Sequence, residues 1–271
     1  MSDLKRLAFV GGGAMGESMI RGVLKAGVVT PEGVAVYDVN PERCDALASA
    51  HGVRIADSER CAADGAELVV LAVKPQSMAN VLKQLRGALA PGQTALSVAA
   101  GVPLERLTTG LDHAAVVRAM PNTPAQVGAG MSVWTAAPAV DAAGRRRAAA
   151  VLGGLGRAIE VEDEAYLDMA TAVSGSGPGY VFLFLEALTD AGVHVGLPRT
   201  VADELARETL IGSGIMARET GSHPAALRNM VTSPGGTTAA GLAALEEGGL
   251  RAAVDRAVWA AYERSRALGR G

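Results

Sequence analysis

The residues that first suggest chemistry in this chain are glycines. Gly11-Gly12-Gly13-Ala14-Met15-Gly16 fits G-x-G-x-x-G, with Gly11, Gly13 and Gly16 in the three fixed positions. The motif follows the apolar run Leu7–Val10 and opens a helical pattern. In a strand–turn–helix of this kind the first glycine permits a tight turn and the second lets the backbone approach a pyrophosphate. The third lets helix and strand pack closely, and the helix N-terminus attracts the phosphates. The alternative reading is a glycine-rich turn with no ligand. Asp38, roughly 20 residues beyond the glycines, stands where a carboxylate accepts from ribose hydroxyls and repels a 2′-phosphate. It could instead cap a helix ahead of Pro41. Arg43, close behind, could pair with a phosphate or be a solvated helix residue. Lys74, in Ala72-Val73-Lys74-Pro75, ends another apolar run and can reach a phosphate or ribose. Ser97–Gly101 and Met120–Pro124, which contains Asn122, end two further runs. Their small, backbone-rich character suits contact with a nicotinamide.

Placing these segments on one edge requires parallel strands, and the pattern supplies them. Leu7–Val10, Val34–Tyr37, Val53–Ile55, Glu67–Val73, Thr94–Val98 and Ala115–Arg118 read as strands. Met131–Thr135 and Ala158–Val161 add edge strands. Helices over Ala14–Ala26, from Pro41 to about His51, and from Pro75 alternate with them. This alternation predicts an α/β Rossmann-type doubly wound parallel sheet. Strands that are apolar on both faces, such as ELVVLAV, are those of a central parallel sheet. After residue 163 the strands stop. Tyr180–Val195, Arg199–Thr220, Ala225–Met230, Thr237–Glu247 and Leu250–Leu268 read as helices separated by Gly- and Pro-rich turns. The expected division is a dinucleotide-binding domain over 1–163 and an all-α domain over 164–271.

Composition narrows the function classes. Hydrophobic residues make up 49% and aromatics 3% of the 271 residues, so the core must be built from Ala, Val, Leu, Ile and Met. The net charge of −3 argues against a nucleic-acid partner, which would call for a basic field. No stretch approaches the ~20 apolar residues of a membrane span, and the N-terminal run is too short for a signal peptide. Cys44 and Cys61 have neither disulfide-framework nor metal-ligand spacing. A cytoplasmic protein with two reduced thiols and no metal is expected.

Six segments coincide with one known family: GGGAMG at 11–16, AVKP at 72–75, MPNTP at 120–124, SGSGP at 174–178, GLPR at 196–199 and SPGGTTAAGL at 233–242. Over essentially its whole length the chain resembles the Δ1-pyrroline-5-carboxylate reductases. The resemblance implies reduction of the cyclic imine pyrroline-5-carboxylate to L-proline, the last step of proline biosynthesis, with NADPH or NADH. It implies a helical dimerisation domain, dimers that interleave these domains, and higher assemblies such as decamers. By the same resemblance Gly11–Gly16 (with Ala14 and Met15), Asn40, Ala72, Val73, Lys74, Pro75, Ala99, Ala100 and Gly101 hold the cofactor. Ser233, Gly235, Gly236, Thr237 and Thr238 hold the substrate, with the Thr237 main chain and the Thr238 hydroxyl closest. Relatives that prefer NADPH often carry a neutral or basic segment after strand two. Asp38-Val39-Asn40 here leans toward NADH or dual use. Some relatives place a glutamate before the His-Pro pair, where this chain has Gly221-Ser222, so that role is not carried over.

The chemistry agrees with the resemblance. An iminium is already electrophilic, so the protein must orient it, exclude water and anchor one carboxylate. Main-chain N–H groups of Gly235–Thr238 at a helix start form a candidate anion nest, and the Thr238 hydroxyl can bond the carboxylate or ring nitrogen. The only lysines are Lys5, Lys25, Lys74 and Lys83. The helical half therefore lacks a lysine acid to polarise a ketone, which favours an imine over a 2-ketoacid. His51, His113, His194 and His223 read as structural or exposed. Ser174–Pro178, with Ser176, could cap the helix from Tyr180 and also face the nicotinamide. Glu186 and Asp190 read as a solvated helix face. The alternatives are a reductase of another cyclic imine or small 2-ketoacid, and a non-catalytic dinucleotide-binding protein.

Overall fold

Short apolar runs become strands and the amphipathic stretches between them become helices. The computed structural model describes residues 4–269. Among these the order is β1 (Leu7–Val10), α1 (Ala14–Lys25), β2 (Val34–Tyr37), α2 (Pro41–His51), β3 (Arg54–Ile55), α3 (Glu59–Ala63), β4 (Leu68–Leu71), α4 (Pro75–Leu85), β5 (Thr94–Ser97), α5 (Leu104–Leu111), β6 (Val116–Pro121), β7 (Gly130–Ala136), α6 (Ala142–Gly153), β8 (Gly156–Glu160) and α7 (Ala165–Ala170). A π-helical turn, Thr171–Gly175, leads to α8 (Gly177–His194). Then follow α9 (Arg199–Thr220), α10 (Pro224–Met230), α11 (Thr237–Glu247) and α12 (Leu250–Gly269).

The strand order is β3-β2-β1-β4-β5-β6-β7-β8. β1 lies between β2 and β4, parallel to both, so the order reverses there and opens a crevice at the strand carboxyl ends. β1, β4 and β5 are buried throughout. Their alternate residues divide between two cores, as the two-residue period of a strand requires. Leu7, Phe9, Leu68, Val70 and Leu96 pack with Met19, Ile20 and Val23 of α1 and Val151 and Leu152 of α6. Ala8, Val10, Val69, Leu71 and Ala95 pack with Met78, Val81, Leu82 and Leu85 of α4 and Leu107 and Leu111 of α5. α1 and α6 approach closely because a Cβ on Gly22 would lie 2.4 Å from the carbonyl oxygen of Gly154.

The sheet departs from the all-parallel expectation at one pair. β6 and β7 are antiparallel, because the residues between them, 122–129, hold only the 3-10 turn Thr123–Val127. A parallel connection needs a crossover of a dozen or more residues. α6 supplies such a crossover, and β8 runs parallel to β7. β7 is therefore flanked on both sides, and of the two expected edge strands only β8 lies at the edge. β6 also continues through Met120 and Pro121, while β4 is shorter than the apolar run containing it. The short helices α3, α5 and α7 were not anticipated.

Compact packing divides the chain into Met1–Ser176 with Ala261–Gly271, and Gly177–Ala260. In the second unit α8 and α9 form a hairpin, where a Cβ on Gly192 would lie 3.0 Å from the Cβ of Ala202. Its helices leave Val181, Phe182, Leu183 and Leu205 exposed. Among the described residues no helix is long and apolar enough to cross a membrane.

Among the described residues of the first unit one cation is buried. Arg118 of β6 is 6% exposed. Its Nη1 donates to Glu164 Oε1 at 2.6 Å and its Nη2 lies 3.8 Å from Asp168 Oδ1. Glu164 also accepts from the Leu104 N–H at 2.8 Å, which ties the start of α5 to the segment before α7. Removing a carboxylate strands the buried guanidinium, whereas removing Arg118 strands only carboxylates that are themselves partly exposed. Glu164→Ala is expected to destabilise by about 2–3 kcal/mol, below the full penalty because Asp168 remains. Arg118→Met should cost about 1 kcal/mol or less, since the carboxylates it leaves are partly solvated. Chemical unfolding of both variants checks the order, and a larger loss for Arg118→Met would refute it.

Candidate active site

The turn from β1 into α1 is set by backbone approach. Gly11 has φ +101°, donates its N–H to the Tyr37 carbonyl at 2.8 Å, and would place a Cβ 2.7 Å from the Ala72 carbonyl group. A Cβ on Gly16 would lie 2.3 Å from the Gly11 oxygen. Both positions exclude side chains for internal reasons. Gly13 differs, because a Cβ there would meet nothing within 4 Å. Gly13 is the N-cap of α1 and no side chain caps that helix. The first bond back into the turn is Glu17 N–H to the Gly13 carbonyl, at 2.9 Å. The N–H groups of Ala14, Met15 and Gly16 precede it, so the uncapped positive end of α1 opens beside space kept clear at Gly13. This cradle fits a dinucleotide pyrophosphate.

The other expected cofactor residues lie on the same carboxyl edge. Asp38 Oδ2 accepts from the Gly12 N–H at 2.7 Å and Oδ1 from the Asn40 N–H at 2.9 Å. Asp38 is therefore a brace of the glycine turn and not a helix cap. The cap of α2 is Asn40, whose Oδ1 accepts from the Glu42 N–H at 3.0 Å. Two lone-pair sites of the Asp38 carboxylate remain for a ribose. Ala72 and Val73 are half-buried after β4, and exposed Lys74 is the N-cap of α4, ahead of Pro75. After β5, Ala99 is buried and Ala100 and Gly101 are half-buried, Gly101 with φ +72°.

Asn122 is committed to the fold. Its Nδ2 donates to the Ser174 carbonyl and hydroxyl, each at 3.2 Å, and its Oδ1 accepts from the Met131 N–H at 2.9 Å. The expectation that a serine caps the following helix is corrected. The chain passes from the π turn through Ser176, which is itself right-handed helical, directly into α8. No helix start is exposed there for a serine to cap. Ser176 donates its N–H to the Thr171 carbonyl at 2.8 Å.

Arg43 is not simply a solvated helix residue but is engaged within the fold. Its Nε donates to the Gly12 carbonyl at 2.5 Å and its Nη2 pairs with Glu17 Oε2. Glu17 Oε1 lies 3.3 Å from His51 Nε2. The Arg43 hydrogen bond holds the Glu17 carboxyl below its ordinary range; burial opposes this and His51 adds to the lowering. Sequence reading missed this cluster because Glu17, Arg43 and His51 meet only when α1 packs beside α2.

In the second unit, Ser233-Pro234-Gly235-Gly236 closes a turn through Gly236 N–H to the Ser233 carbonyl at 3.0 Å. Pro234 at the second position and Gly235 at φ +68° are the residues a type II turn requires. Gly236 is the N-cap of α11, again with no side-chain cap. The first bond back to it is Ala240 N–H to the Gly236 carbonyl, at 3.2 Å. The N–H groups of Thr237, Thr238 and Ala239 precede that bond. Thr237 is exposed and Thr238 half-buried. An anion can be received there by main-chain donors and a threonine hydroxyl together.

The remaining candidates are structural. His113 Nε2 lies 2.8 Å from the Gln93 carbonyl, His223 Nδ1 accepts from the Ala225 N–H at 3.2 Å, and His194 is exposed. Asp190 pairs with Arg199 at 2.5 Å in solvent. Cys44 is buried and Cys61 exposed, both as free thiols.

Known proteins resemble the chain over its whole length. A pyrroline-5-carboxylate reductase from Synechocystis is 43% identical over 98% of this chain and 98% of its own. The chain belongs to the pyrroline-5-carboxylate reductase family. The Escherichia coli member is 40% identical over 97% of this chain and 98% of its own. The family model described as pyrroline-5-carboxylate reductase dimerisation matches residues 164–268. One described as NADP oxidoreductase, coenzyme F420-dependent, matches residues 6–101. The Coxiella burnetii reductase structure superposes with TM-score 0.93 at 35% identity, covering 98% of this chain and 99% of that one. That of the Plasmodium falciparum enzyme, solved with NADP bound, gives 0.88 at 31% identity, covering 99% of each chain. The chain is thus an NAD(P)H-dependent oxidoreductase acting on a C=N bond, and its dimerisation segment marks it as self-associating.

Two tests follow from the geometry. Gly11→Ala should destabilise by at least about 1–2 kcal/mol, through a strained φ and contact with Ala72. Gly13→Val should lose no more than the ~1 kcal/mol of a poorer N-cap yet lose tenfold or more in dinucleotide affinity; equal melting losses in both would remove the distinction. The stability that Glu17 draws from its lowered pKa is complete above its ordinary value of 4.5 and is lost as pH falls through its folded value. The melting temperature of Glu17→Gln should therefore fall less than that of the wild type between pH 5 and pH 3.

Proposed function

We propose that this chain reduces Δ1-pyrroline-5-carboxylate to L-proline with NADH or NADPH, as the closing step of proline biosynthesis in the cytoplasm. The observation that carries the reading is the pair of uncapped helix starts on glycine turns, at Gly13 and Gly236, in a chain of this family. One suits a pyrophosphate and the other a carboxylate.

In this reading the Gly11–Gly16 turn and the N-terminus of α1 hold the pyrophosphate. Asp38 and Asn40 lie toward the adenosine ribose. Ala72–Pro75 and Ala99–Gly101 line the dinucleotide, and Asn122 keeps the nicotinamide end of the edge in shape. When bound, the cofactor supplies the hydride that the imine carbon accepts. The main-chain donors of Gly235–Thr238 hold the substrate carboxylate, and Ser233 fixes the turn behind them. The Thr238 hydroxyl bonds the carboxylate or ring nitrogen and so fixes which face of the ring is presented. Ser176 contacts the substrate from the position just before α8. The helical half, 164–271, acts as the substrate-binding and dimerisation domain, and homodimers assemble further, up to a decamer. The half-buried setting of Thr238 and the absence of any lysine after Lys83 favour an imine that arrives protonated over a ketone that needs an acid.

Initial rates with pyrroline-5-carboxylate, measured in parallel with NADH and NADPH, test the reading. Turnover with at least one cofactor is expected. Oxidation of neither, with turnover of another cyclic imine, would transfer the site to that substrate. Thr238→Val should lower kcat/KM by about 10–100-fold, the size of one hydrogen bond to a charged group. Thr238→Ser, which keeps the hydroxyl, should stay within about fivefold. Equal losses in both would remove the hydroxyl from the mechanism.

A further inference from the structure

The segment that follows β2 decides whether a dinucleotide-binding fold accepts or rejects a 2′-phosphate, and it does so by charge. Between Asp38 and Arg43 this chain offers one cation, Arg43, and two carboxylates, Asp38 and Glu42. A 2′-phosphate arriving at the start of α2 would need Arg43. That guanidinium is already engaged on two sides, by the Gly12 carbonyl at 2.5 Å and by the Glu17 carboxylate. Glu17 is held in turn, with His51 Nε2 3.3 Å from its other oxygen. The cluster is partly enclosed: the Arg43, Glu17 and His51 side chains are 29%, 31% and 14% exposed. Water weakens the pair without dissolving it. Asp38 adds to the effect, because its carboxylate is pinned beside the turn by the N–H groups of Gly12 and Asn40.

We propose that Glu17 is a specificity-determining residue: by holding Arg43 against the glycine turn, it withholds from the cofactor the cation that a 2′-phosphate would use. Glu17 and the phosphate are rival anions for one guanidinium. Binding of NADP(H) must break the Glu17–Arg43 pair or proceed without Arg43, and either costs affinity that NAD(H) does not lose. By this arrangement a chain with an arginine in the phosphate-reading segment is expected to favour the unphosphorylated cofactor. The proposal rests on the reading that the Gly11–Gly16 turn seats the dinucleotide.

The test is calorimetric titration of the full-length protein with NAD+ and NADP+ in the absence of imine, so that affinity is read apart from turnover. Glu17→Gln keeps the shape and hydrogen-bonding reach of the side chain but removes the rival charge. It is expected to raise NADP+ affinity by about tenfold, the size of one charge-assisted hydrogen bond gained, and to leave NAD+ affinity within about twofold. The double variant Glu17→Gln/Arg43→Gln should lose that gain, because the gain depends on the released guanidinium. Glu17→Ala gives the same readout with a different replacement, should the glutamine variant melt early. An unchanged ratio of NADP+ to NAD+ affinity in both Glu17 variants would overturn the proposal. So would a gain that survives the loss of Arg43. Failure of the wild type to bind either dinucleotide would instead refute the reading of the glycine turn.

Discussion

Two side chains are missing where β1 turns into α1, and the remainder of the cofactor edge is arranged around that absence. Gly11 passes so close to the Ala72 carbonyl group that a single carbon would collide with it, and Gly16 sits equally close over Gly11. These approaches draw β1, β4 and α1 together at the one place where strand order reverses. Any widening would move the helix terminus away from the strand ends. Asp38 and Arg43 then grip the same turn from the side of β2 and α2, one through the Gly12 N–H and the other through the Gly12 carbonyl. The turn is held by opposite charges on its two faces, and its central glycine alone faces open space.

The sheet was legible because burial on both faces leaves a distinct mark. LAFV and LVVL are uninterrupted apolar runs, TALS is buried at all four positions despite its terminal hydroxyls, and each became a central strand. Helices α8 to α12 were legible for the opposite reason: their turns are announced by Gly-Leu-Pro, Ser-His-Pro and Pro-Gly-Gly. Harder to read were features fixed by length or by tertiary contact. α3 has only five residues, too few for a helical period to appear. The reversal at β7 depends on the length of the 122–129 connection, which a strand pattern does not encode.

The candidate site divides in the same way. Gly11, Gly13, Gly16 and the SPGGTT turn could be found because glycine requirements are local and backbone conformation is a property of a few adjacent residues. Side-chain commitments were less visible. Asn122 looked free to meet a cofactor, yet its side chain bonds to Ser174 and Met131. Arg43 could be read as a phosphate ligand or a solvated helix residue, yet its partner, Glu17, is far away in sequence. Whether a polar side chain is available depends on what packs beside it, and a linear sequence lists candidates without showing which are already occupied.

The exposed apolar face of the helical unit has a consequence beyond architecture. Phe182 is 61% and Leu183 66% exposed in the single chain, and a surface of that kind is ordinarily covered by association. For a self-associating chain the folded population then obeys mass action. Each tenfold dilution weakens an assembled pair by about 1.4 kcal/mol relative to its separated chains. Thermal resistance therefore becomes a function of abundance: the same sequence is sturdier in a cell that makes much of it than in one that makes little.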